Sequence, residues 1–191
     1  MRVENLEVAF FEKSVMAATY AMLKDKNEKV DYVKALEVCK KLAKNPSNSG
    51  HPNFLTGIRV AFDLTIPVTM LVQAERYHWF DIVTSQSTMH CLNKFDLNNS
   101  FTEYTDEKMI ERVNELVEIY NNDKSAHNFQ ILADSCPKGI ELKMLISTNY
   151  MQLRTMISQR KNHRLFAWRE FCEYMLENLP YAKEFIEVEN A

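Results

Sequence analysis

An alternation of apolar and polar residues from Ile58 to Ile66 constrains the fold of this chain more than any other feature. Apolar side chains occupy every second position, and Arg59 and Asp63 stand among the residues between them. This pattern predicts a strand with one buried face. Pro67 follows and suits the first turn of a helix, where its missing N–H costs nothing. The sequence therefore predicts a half-buried strand that passes directly into a helix.

Hydrophobic spacing predicts that most of the remaining chain is helical. Residues 3–11 alternate loosely, as a first strand would, whereas 13–24 carry apolar residues at helical spacing. A further helix begins near Thr105 as N-cap, and a long helical region runs from about Tyr150 to Leu179, where Pro180 ends or kinks it. With two to four strands, we expect an α+β fold: one helix-rich domain over residues 1–191 with a small sheet.

A helix over residues 30–43 is predicted in more detail. Its lysines would face water, and its core-facing side would consist of Val33, Leu36, Val38 and Leu42.

The glycine content excludes two common nucleotide-binding folds. The 191 residues contain only three glycines, Gly50, Gly57 and Gly139. Both the Rossmann fingerprint and the P-loop need several closely spaced glycines. If the chain binds a nucleotide or a flavin, side chains and helix termini must hold the phosphates.

Charge and cysteine usage exclude further classes. The net charge of −3 argues against a general nucleic-acid binder, and the four separated cysteines suggest neither a disulfide framework nor a zinc cluster. The five histidines lack the spacing of a zinc hydrolase, so no metal site is predicted. Acidic residues near the N-terminus are unlike a signal peptide, and no apolar segment is long enough to cross a bilayer. We expect a cytoplasmic protein with no membrane partner.

Polar residues that follow the predicted strand form the main candidate site. Gln73 and Arg76 are three residues apart and share a helix face. Ser85, Gln86 and Ser87 then supply hydroxyl and amide groups suited to a pyrimidine edge or to phosphate oxygens. The alternative interpretation is that Gln73 and Arg76 are exposed helix polars and that the serines belong to a turn.

The order of these residues resembles the signature of the flavin-dependent thymidylate synthases. That family has Gly-His before a strand ending near a proline, then a helix with Gln, an Arg-His-Arg triplet and a Ser. Gly50-His51, Pro67, Gln73 and Arg76 follow this order. Two registers fit. In the first, Arg76-Tyr77-His78 is the triplet and Ser87 comes one residue late, whereas in the second His78 is the central His and Tyr77 and Trp79 replace both arginines.

A second match to the family lies near the C-terminus. Asn149, Leu153 and Arg160 keep the spacing of a family Asn, Leu and Arg, and Phe166–Glu170 resembles the Ala-Gln-Trp-Glu helix that follows. In the family this Asn belongs to the flavin site and this Arg to the nucleotide phosphate site. The fork of an Arg side chain suits phosphate oxygens.

The resemblance implies a flavoenzyme that converts dUMP to dTMP. It implies FAD as cofactor, NADPH and methylenetetrahydrofolate as co-substrates, and a homotetramer with sites at its subunit interfaces. Ser87 and Arg160 would be catalytic. Residue by residue, the implied flavin site is His51, Gln73, Arg76, His78 and Asn149, and the implied substrate site is Arg76, Ser85, Gln86, Ser87, Arg154 and Arg160.

Three departures from the family pattern keep other functions open. The Arg after the serine is Met89 here, the Tyr after it is His90, and Lys143 is only an approximate substitute for a family Arg. One alternative is an enzyme that modifies another pyrimidine nucleotide, for example by hydroxymethylation. The other is a nucleotide-binding homologue that has lost catalysis.

Overall fold

A four-stranded antiparallel sheet organises the protein, whose computed structural model describes residues 1–187. The strands are β1 (Arg2–Ala9), β2 (Arg59–Pro67), β3 (Asp81–Ser85) and β4 (Glu141–Asn149), in the spatial order β1-β2-β4-β3. β2 and β4 pair along their whole length, from Arg59 opposite Asn149 to Pro67 opposite Glu141. β3 is an edge strand that the sequence patterns did not predict.

The alternation in β2 is confirmed as a half-buried strand. Val60, Phe62, Leu64 and Ile66 are buried, and the residues between them are partly exposed. β4 repeats the pattern with Leu142, Met144, Ile146 and Thr148 on the buried face. One face of the sheet therefore forms the core, and the other carries polar groups.

Helices pack on the buried face of the sheet. Residues 1–187 form ten α-helices, which in chain order are α1 (Phe11–Ala17), α2 (Tyr32–Leu42), α3 (Phe54–Gly57), α4 (Val68–Ala74), α5 (Thr88–Cys91), α6 (Glu107–Asn122), α7 (Ala126–Ser135), α8 (Tyr150–Arg160), α9 (Phe166–Asn178) and α10 (Ala182–Phe185). The expected helix-rich α+β fold is confirmed. No helix within residues 1–187 is both long and apolar enough to span a membrane.

Three helix starts or ends differ from the sequence expectations. The helix expected over 13–24 ends at Ala17 and is followed by a 3₁₀ turn at Tyr20–Met22. The N-cap of α6 is Asp106 rather than Thr105, because the Asp106 side chain accepts from the Lys108 N–H at 3.0 Å. Pro67 closes β2 one residue before α4 begins, with a backbone still in the extended region.

The buried face of α2 also differs from the expected one. Ala35, Leu36 and Cys39 are buried, whereas Val33 is 69% exposed. The helix therefore packs on the core with Ala35 and Cys39 beside Leu36, and Val33 faces away from the core.

The long helical region expected from Tyr150 to Leu179 is two helices. α8 ends at Arg160, and α9 starts at Phe166 after a five-residue connection. Trp168, Phe171, Cys172 and Met175 form the buried side of α9. The Phe171 ring lies 6.0 Å from that of Phe62 on β2 and 6.0 Å from that of Trp168, which ties α9 to the centre of the sheet.

A smaller second cluster lies beside the main core. α6, α7 and the connection after α5 contribute to it, and its buried members are Leu92, Leu97, Val113, Leu116, Leu132 and Ile140. This cluster holds the long connection between β3 and β4 against the sheet.

Candidate functional site

Arg160 lies where three helices meet on the core side of the sheet. It is the last residue of α8, and the connection to α9 then returns Trp168 to the core. α4 contributes Gln73 in its last turn, and the backbone turn after it, with the Tyr77 N–H bonded to the Ala74 carbonyl at 3.0 Å, brings Tyr77 alongside. We call Gln73, Tyr77, Arg160 and Trp168 the arginine cage.

Hydrogen bonds fix the Arg160 side chain within the cage. Its Nε–H donates to the Tyr77 hydroxyl at 2.8 Å, and Nη1 donates to Gln73 Oε1 at 3.2 Å. Trp168 Nε1 donates to the same Gln73 oxygen, also at 3.2 Å. The Tyr77 hydroxyl in turn donates to Gln159 Oε1 at 2.8 Å. Because Nε and Nη1 each have an acceptor, the orientation of the guanidinium is set before any ligand arrives.

Two aromatic rings also contact the Arg160 guanidinium. Its central carbon lies 5.6 Å from the centre of the Tyr77 ring and 5.2 Å from that of Trp168. The two rings meet edge-on at 71°, with their centres 6.1 Å apart. A cation at this distance from an aromatic ring is attracted by the ring quadrupole. The cage therefore holds a positive charge, and no carboxylate of residues 1–187 forms an ion pair with it.

The Arg160 guanidinium keeps free donors after these contacts. An arginine has five N–H groups, and within residues 1–187 one on Nε and one on Nη1 are used. The others lie on Nη1 and Nη2, the end of the fork that binds phosphate oxygens in pairs. The cage is thus chemically suited to bind an anion end-on.

His163 lies in the connection between α8 and α9, beside the cage. Its Nδ1 accepts the Leu165 N–H at 3.1 Å, and its ring centre lies 6.4 Å from that of Trp168. Burial, and then the positive charges of Arg160 and Arg164, lower the pKa of His163 from its ordinary value of 6.5. The neutral imidazole is therefore favoured, and it adds no charge to the cage near neutral pH.

Ser85, Gln86 and Ser87, which we call the serine segment, lie at the end of edge strand β3. The Gln86 side-chain oxygen accepts the Lys143 N–H and the Gln86 N–H donates to the Lys143 carbonyl, both at 2.9 Å. Ser87 Oγ accepts the His90 N–H at 3.3 Å as N-cap of α5. Gln86 thus extends the strand pairing, and the Ser85 side chain is exposed.

Lys143, beside the serine segment, is held by two carboxylates. Its Nζ lies 3.1 Å from an Asp63 oxygen and 3.3 Å from a Glu4 oxygen. These partners, Asp63 first, raise the pKa of Lys143. Its charge is therefore partly neutralised within the chain.

Arg154 contacts the backbone that follows α2. It donates to the Ala43 and Asn45 carbonyls, each at 2.8 Å, and is only 8% exposed. Burial lowers the pKa of the Arg154 guanidinium from its ordinary value. These contacts satisfy carbonyls at the end of a helix, and the proposed role of Arg154 in substrate binding stays a prediction.

Asn149 and His51 lie near one end of the sheet. Asn149 is buried as N-cap of α8, where its Oδ1 accepts the Gln152 N–H at 2.9 Å. His51 is exposed on a 3₁₀ turn before β2, in a depression that it shares with Gly50, Asn53 and Gly57. Asn149 pairs opposite Arg59, so the end of β4 lies beside the start of β2, which the His51 turn precedes in the chain.

Arg76 and His78 lie in the exposed turn between α4 and β3. The His78 ring contacts that of Trp79, with centres 4.7 Å apart. The Trp79 carbonyl accepts the Thr148 hydroxyl at 2.7 Å, which fixes the turn at the Asn149 end of β4. The serine segment is bonded to Lys143, which lies five residues before Thr148 on β4. It is therefore roughly 17 Å from the turn along that strand.

The structure thus brings together Gln73 and Arg160 among the predicted site residues. It also places Arg76, His78 and Asn149 at one end of the sheet. The serine segment stands apart, because no contact within residues 1–187 joins it to the cage. Sequence reasoning missed Tyr77 and Trp168 as partners of Arg160. The spacing of four between Gln73 and Tyr77 was the available signal, but nothing in it points to an arginine 83 residues later.

A separate cleft of about 620 Å³ opens between the start of α4, the start of α9 and the segment 101–109. The rings of Tyr104 and Phe166 form one wall, with centres 5.2 Å apart. None of the predicted site residues lines this cleft. It adjoins the cage through two helices: on α9 Ala167 lines the cleft and Trp168 belongs to the cage, and on α4 Thr69 lines the cleft and its carbonyl accepts from Gln73 Nε2 at 3.4 Å.

Comparison with solved structures shows which fold this is. The chain is similar to the flavin-dependent thymidylate synthase ThyX from Helicobacter pylori complexed with FAD and dUMP, with a TM-score of 0.75, 14% identity and coverage of 99% of this chain and 100% of that chain. A second ThyX structure from the same organism, with FAD and dUMP, has a TM-score of 0.72 and 14% identity, and the match covers 98% of this chain and 97% of that chain. The UMP/dUMP methylase PolB from Streptomyces cacaoi, bound with 5-Br dUMP, has a TM-score of 0.68 and 13% identity, and the match covers 97% of this chain and 93% of that chain.

These likenesses confirm, at the level of the fold, the resemblance found in the sequence. The chain has the fold of the flavin-dependent thymidylate synthases along nearly its whole length. No protein-family model matches the sequence, and no curated protein matches it either.

Proposed function

We propose that this protein is a divergent flavin-dependent thymidylate synthase, acting as one domain over residues 1–191. It would methylate dUMP, with methylenetetrahydrofolate as one-carbon donor and NADPH as reductant. The observation that carries the proposal is the arginine cage. Arg160 has the sequence position that the family resemblance gives to phosphate binding, and within residues 1–187 its contacts to Tyr77 and Gln73 use only two of its five N–H donors.

Arg160 binds the nucleotide phosphate in this proposal. A guanidinium without a carboxylate partner has an unneutralised charge, and a phosphate monoester supplies the complementary one. Ser87 holds the pyrimidine or its phosphate from the serine segment. Arg76, exposed and cationic, contacts flavin or nucleotide phosphates from the turn after α4.

The residues at the Asn149 end of the sheet fit FAD by their donor chemistry. Arg76 and His78 are exposed in one turn, and both carry N–H donors suited to a pyrophosphate. The helix cap uses only the oxygen of the Asn149 amide, and its nitrogen donates to no group within residues 1–187. His51 and Gln73 line the same proposed site. When bound, the flavin supplies the hydride chemistry, and these side chains bind and orient it.

A second copy of the chain would complete each site, in a homotetramer. Within one chain the serine segment lies on the β3 edge, apart from the cage. Apolar side chains are exposed around this edge, with Trp79 at 54%, Val83 at 58% and Met89 at 64%. Exposed apolar groups gathered on one surface are typical of an interface. A partner covering this edge would bring one serine segment toward another copy's cage.

Binding of FAD to the purified protein, followed by absorbance and fluorescence with and without dUMP, tests the proposal first. We expect a flavin spectrum that responds to dUMP, and formation of dTMP when methylenetetrahydrofolate and NADPH are added. A protein that takes up no FAD would overturn the proposal and favour a homologue without catalysis.

Arg160→Ala tests the residue on which the proposal depends. We expect it to abolish dUMP binding, whereas Arg112→Ala, a matched change on the exposed face of α6, should leave binding intact. Unchanged dUMP affinity in Arg160→Ala would remove Arg160 from the phosphate site.

A second candidate is modification of another pyrimidine nucleotide. Met89 and His90 stand where the family has an Arg and a Tyr, and both are exposed beside Ser87. An arginine that is missing from a nucleotide site changes which ligands the site favours. Flavin binding that responds to UMP or dCMP but not to dUMP would support this candidate over the first.

A further inference from the structure

We infer that Tyr77 is a positioning residue that turns the end of the Arg160 fork toward the ligand, and so makes the site selective for a phosphate monoester. This inference rests on the proposed function for its ligand. Tyr77 stands in the segment where the chain departs from the family's Arg-His-Arg triplet. In the structure, the hydroxyl of this tyrosine accepts the Arg160 Nε–H.

The direction of the hydrogen bonds supports this role. A tyrosine hydroxyl has one proton, and that of Tyr77 is donated to Gln159 Oε1 at 2.8 Å. Its oxygen is therefore left to accept the Arg160 Nε–H, at 2.8 Å. Gln159 thus fixes the direction of the chain of bonds, and Arg160 cannot use Nε for a ligand.

The remaining geometry follows from the use of Nε. An arginine can bind two phosphate oxygens side-on, through Nε and Nη2, or end-on, through Nη1 and Nη2. Tyr77 blocks the side-on mode, and Gln73 takes one of the Nη1 protons. The end-on mode, centred on Nη2, is left. It suits a terminal phosphate group, whose oxygens project beyond the rest of the nucleotide.

The ring and the hydroxyl of Tyr77 can be separated experimentally. The ring packs edge-on against Trp168 and contacts the guanidinium. Tyr77→Phe keeps the ring and removes only the acceptor for Nε. Tyr20→Phe is the matched control, because it also removes one tyrosine hydroxyl, from a side chain that is 56% exposed on a 3₁₀ turn.

The first experiment needs no ligand and is independent of the proposed function. It measures solvent exchange of the Arg160 Nε–H by NMR on protein labelled with ¹⁵N-arginine, the signal being assigned by its loss in Arg160→Lys. We expect slow exchange in the wild type and in Tyr20→Phe, and at least about 10-fold faster exchange in Tyr77→Phe, as expected when a hydrogen bond that fixes the group is removed. Equal exchange rates in wild type and Tyr77→Phe would overturn the inference.

The second experiment measures affinity for dUMP and for deoxyuridine, which lacks the phosphate. We expect Tyr77→Phe to weaken dUMP binding about 10-fold, equivalent to about 1.4 kcal/mol, while deoxyuridine and FAD affinities stay as in the wild type. An equal loss for all three ligands would overturn the inference, because it indicates a general structural defect. A wild type that binds neither dUMP nor FAD would instead overturn the proposed function, and the exchange measurement would still decide the positioning role.

Discussion

The guanidinium of Arg160 lies 5.2 Å from the ring of Trp168, and both side chains donate to one acceptor, Gln73 Oε1, at 3.2 Å. The shared acceptor joins the end of α8 to the start of α9 across the connection that separates them. A charged group held by both ring and hydrogen-bond contacts is preorganised for its ligand. The identity of residue 73 should therefore control how strongly the cage attracts an anion.

Gln73→Glu should weaken nucleotide binding by supplying the carboxylate that the cage lacks. The new charge would pair with Arg160 and repel the phosphate, and we expect at least about a 10-fold loss of dUMP affinity. Titration of the purified variant with dUMP checks this. Gln130→Glu on α7 makes the same change in net charge on an exposed helix and should leave affinity unchanged. Equal effects of the two variants would show that only net charge matters.

Arg154→Met should destabilise the fold, and its effect on dUMP affinity tests the proposed substrate role of Arg154. The variant leaves the Ala43 and Asn45 carbonyls without their donors, at a cost of about 2–4 kcal/mol in the free energy of unfolding. Denaturant unfolding measures the loss. Arg112→Met breaks only an exposed pair with Glu115 and should cost about 0.5 kcal/mol. A variant of wild-type stability that has lost dUMP binding would place Arg154 in the substrate site instead.

Asn149 carries a structural and a proposed flavin role that two variants can separate. Asn149→Ala removes the cap of α8 and should cost about 1 kcal/mol of stability. Asn149→Asp keeps a capping oxygen and should keep the stability, but it loses the amide N–H. Thermal unfolding and FAD titration together distinguish the roles. Wild-type FAD affinity in Asn149→Asp would remove the amide from the flavin site.

Ser87→Ala and Arg160→Ala should complement each other if each site combines two copies of the chain. Each variant alone should be nearly inactive, since each lacks one proposed contact. Hybrid oligomers made by co-expression should contain some sites with both residues intact and regain part of the activity. Thr84→Val, on the same exposed edge strand and outside the predicted site, is the control and should stay active. Hybrids confirmed by mass spectrometry that show no activity would argue for sites within single chains.

His163 should make stability fall as the solution becomes acidic. Its pKa is lowered in the folded protein, so below about pH 6.5 the unfolded chain binds a proton that the folded one resists. The contribution is complete above pH 6.5 and is lost as the pH falls toward the folded pKa. His163→Asn keeps an acceptor for the Leu165 N–H and should flatten the dependence of unfolding free energy on pH between 5 and 7. Asn162→Gln, an exposed change in the same connection that removes no titratable group, should leave the slope unchanged.

How far the sequence could predict this structure depends on the range of the interactions. Alternation from Ile58 to Ile66 sufficed for β2, because its period shows directly which face is buried. The buried face of α2 was predicted wrongly in part: Leu36 is buried as expected, but the exposed Val33 and the buried Ala35 both fit helical spacing. β3 escaped prediction since its pairing with β4, from Asp81 opposite Ser147, spans some sixty residues and leaves its own residues exposed.

The sequence by itself determined the strand–helix order, the α+β class and the resemblance in residues such as Gln73 and Arg160. These features depend on periodicity, capping and motif spacing, all of which are local. Only the tertiary structure decided that Arg154 satisfies backbone carbonyls and that Tyr77 and Trp168 enclose Arg160. Such contacts depend on how α4, α8 and α9 pack on the sheet, and packing joins residues that no local pattern connects.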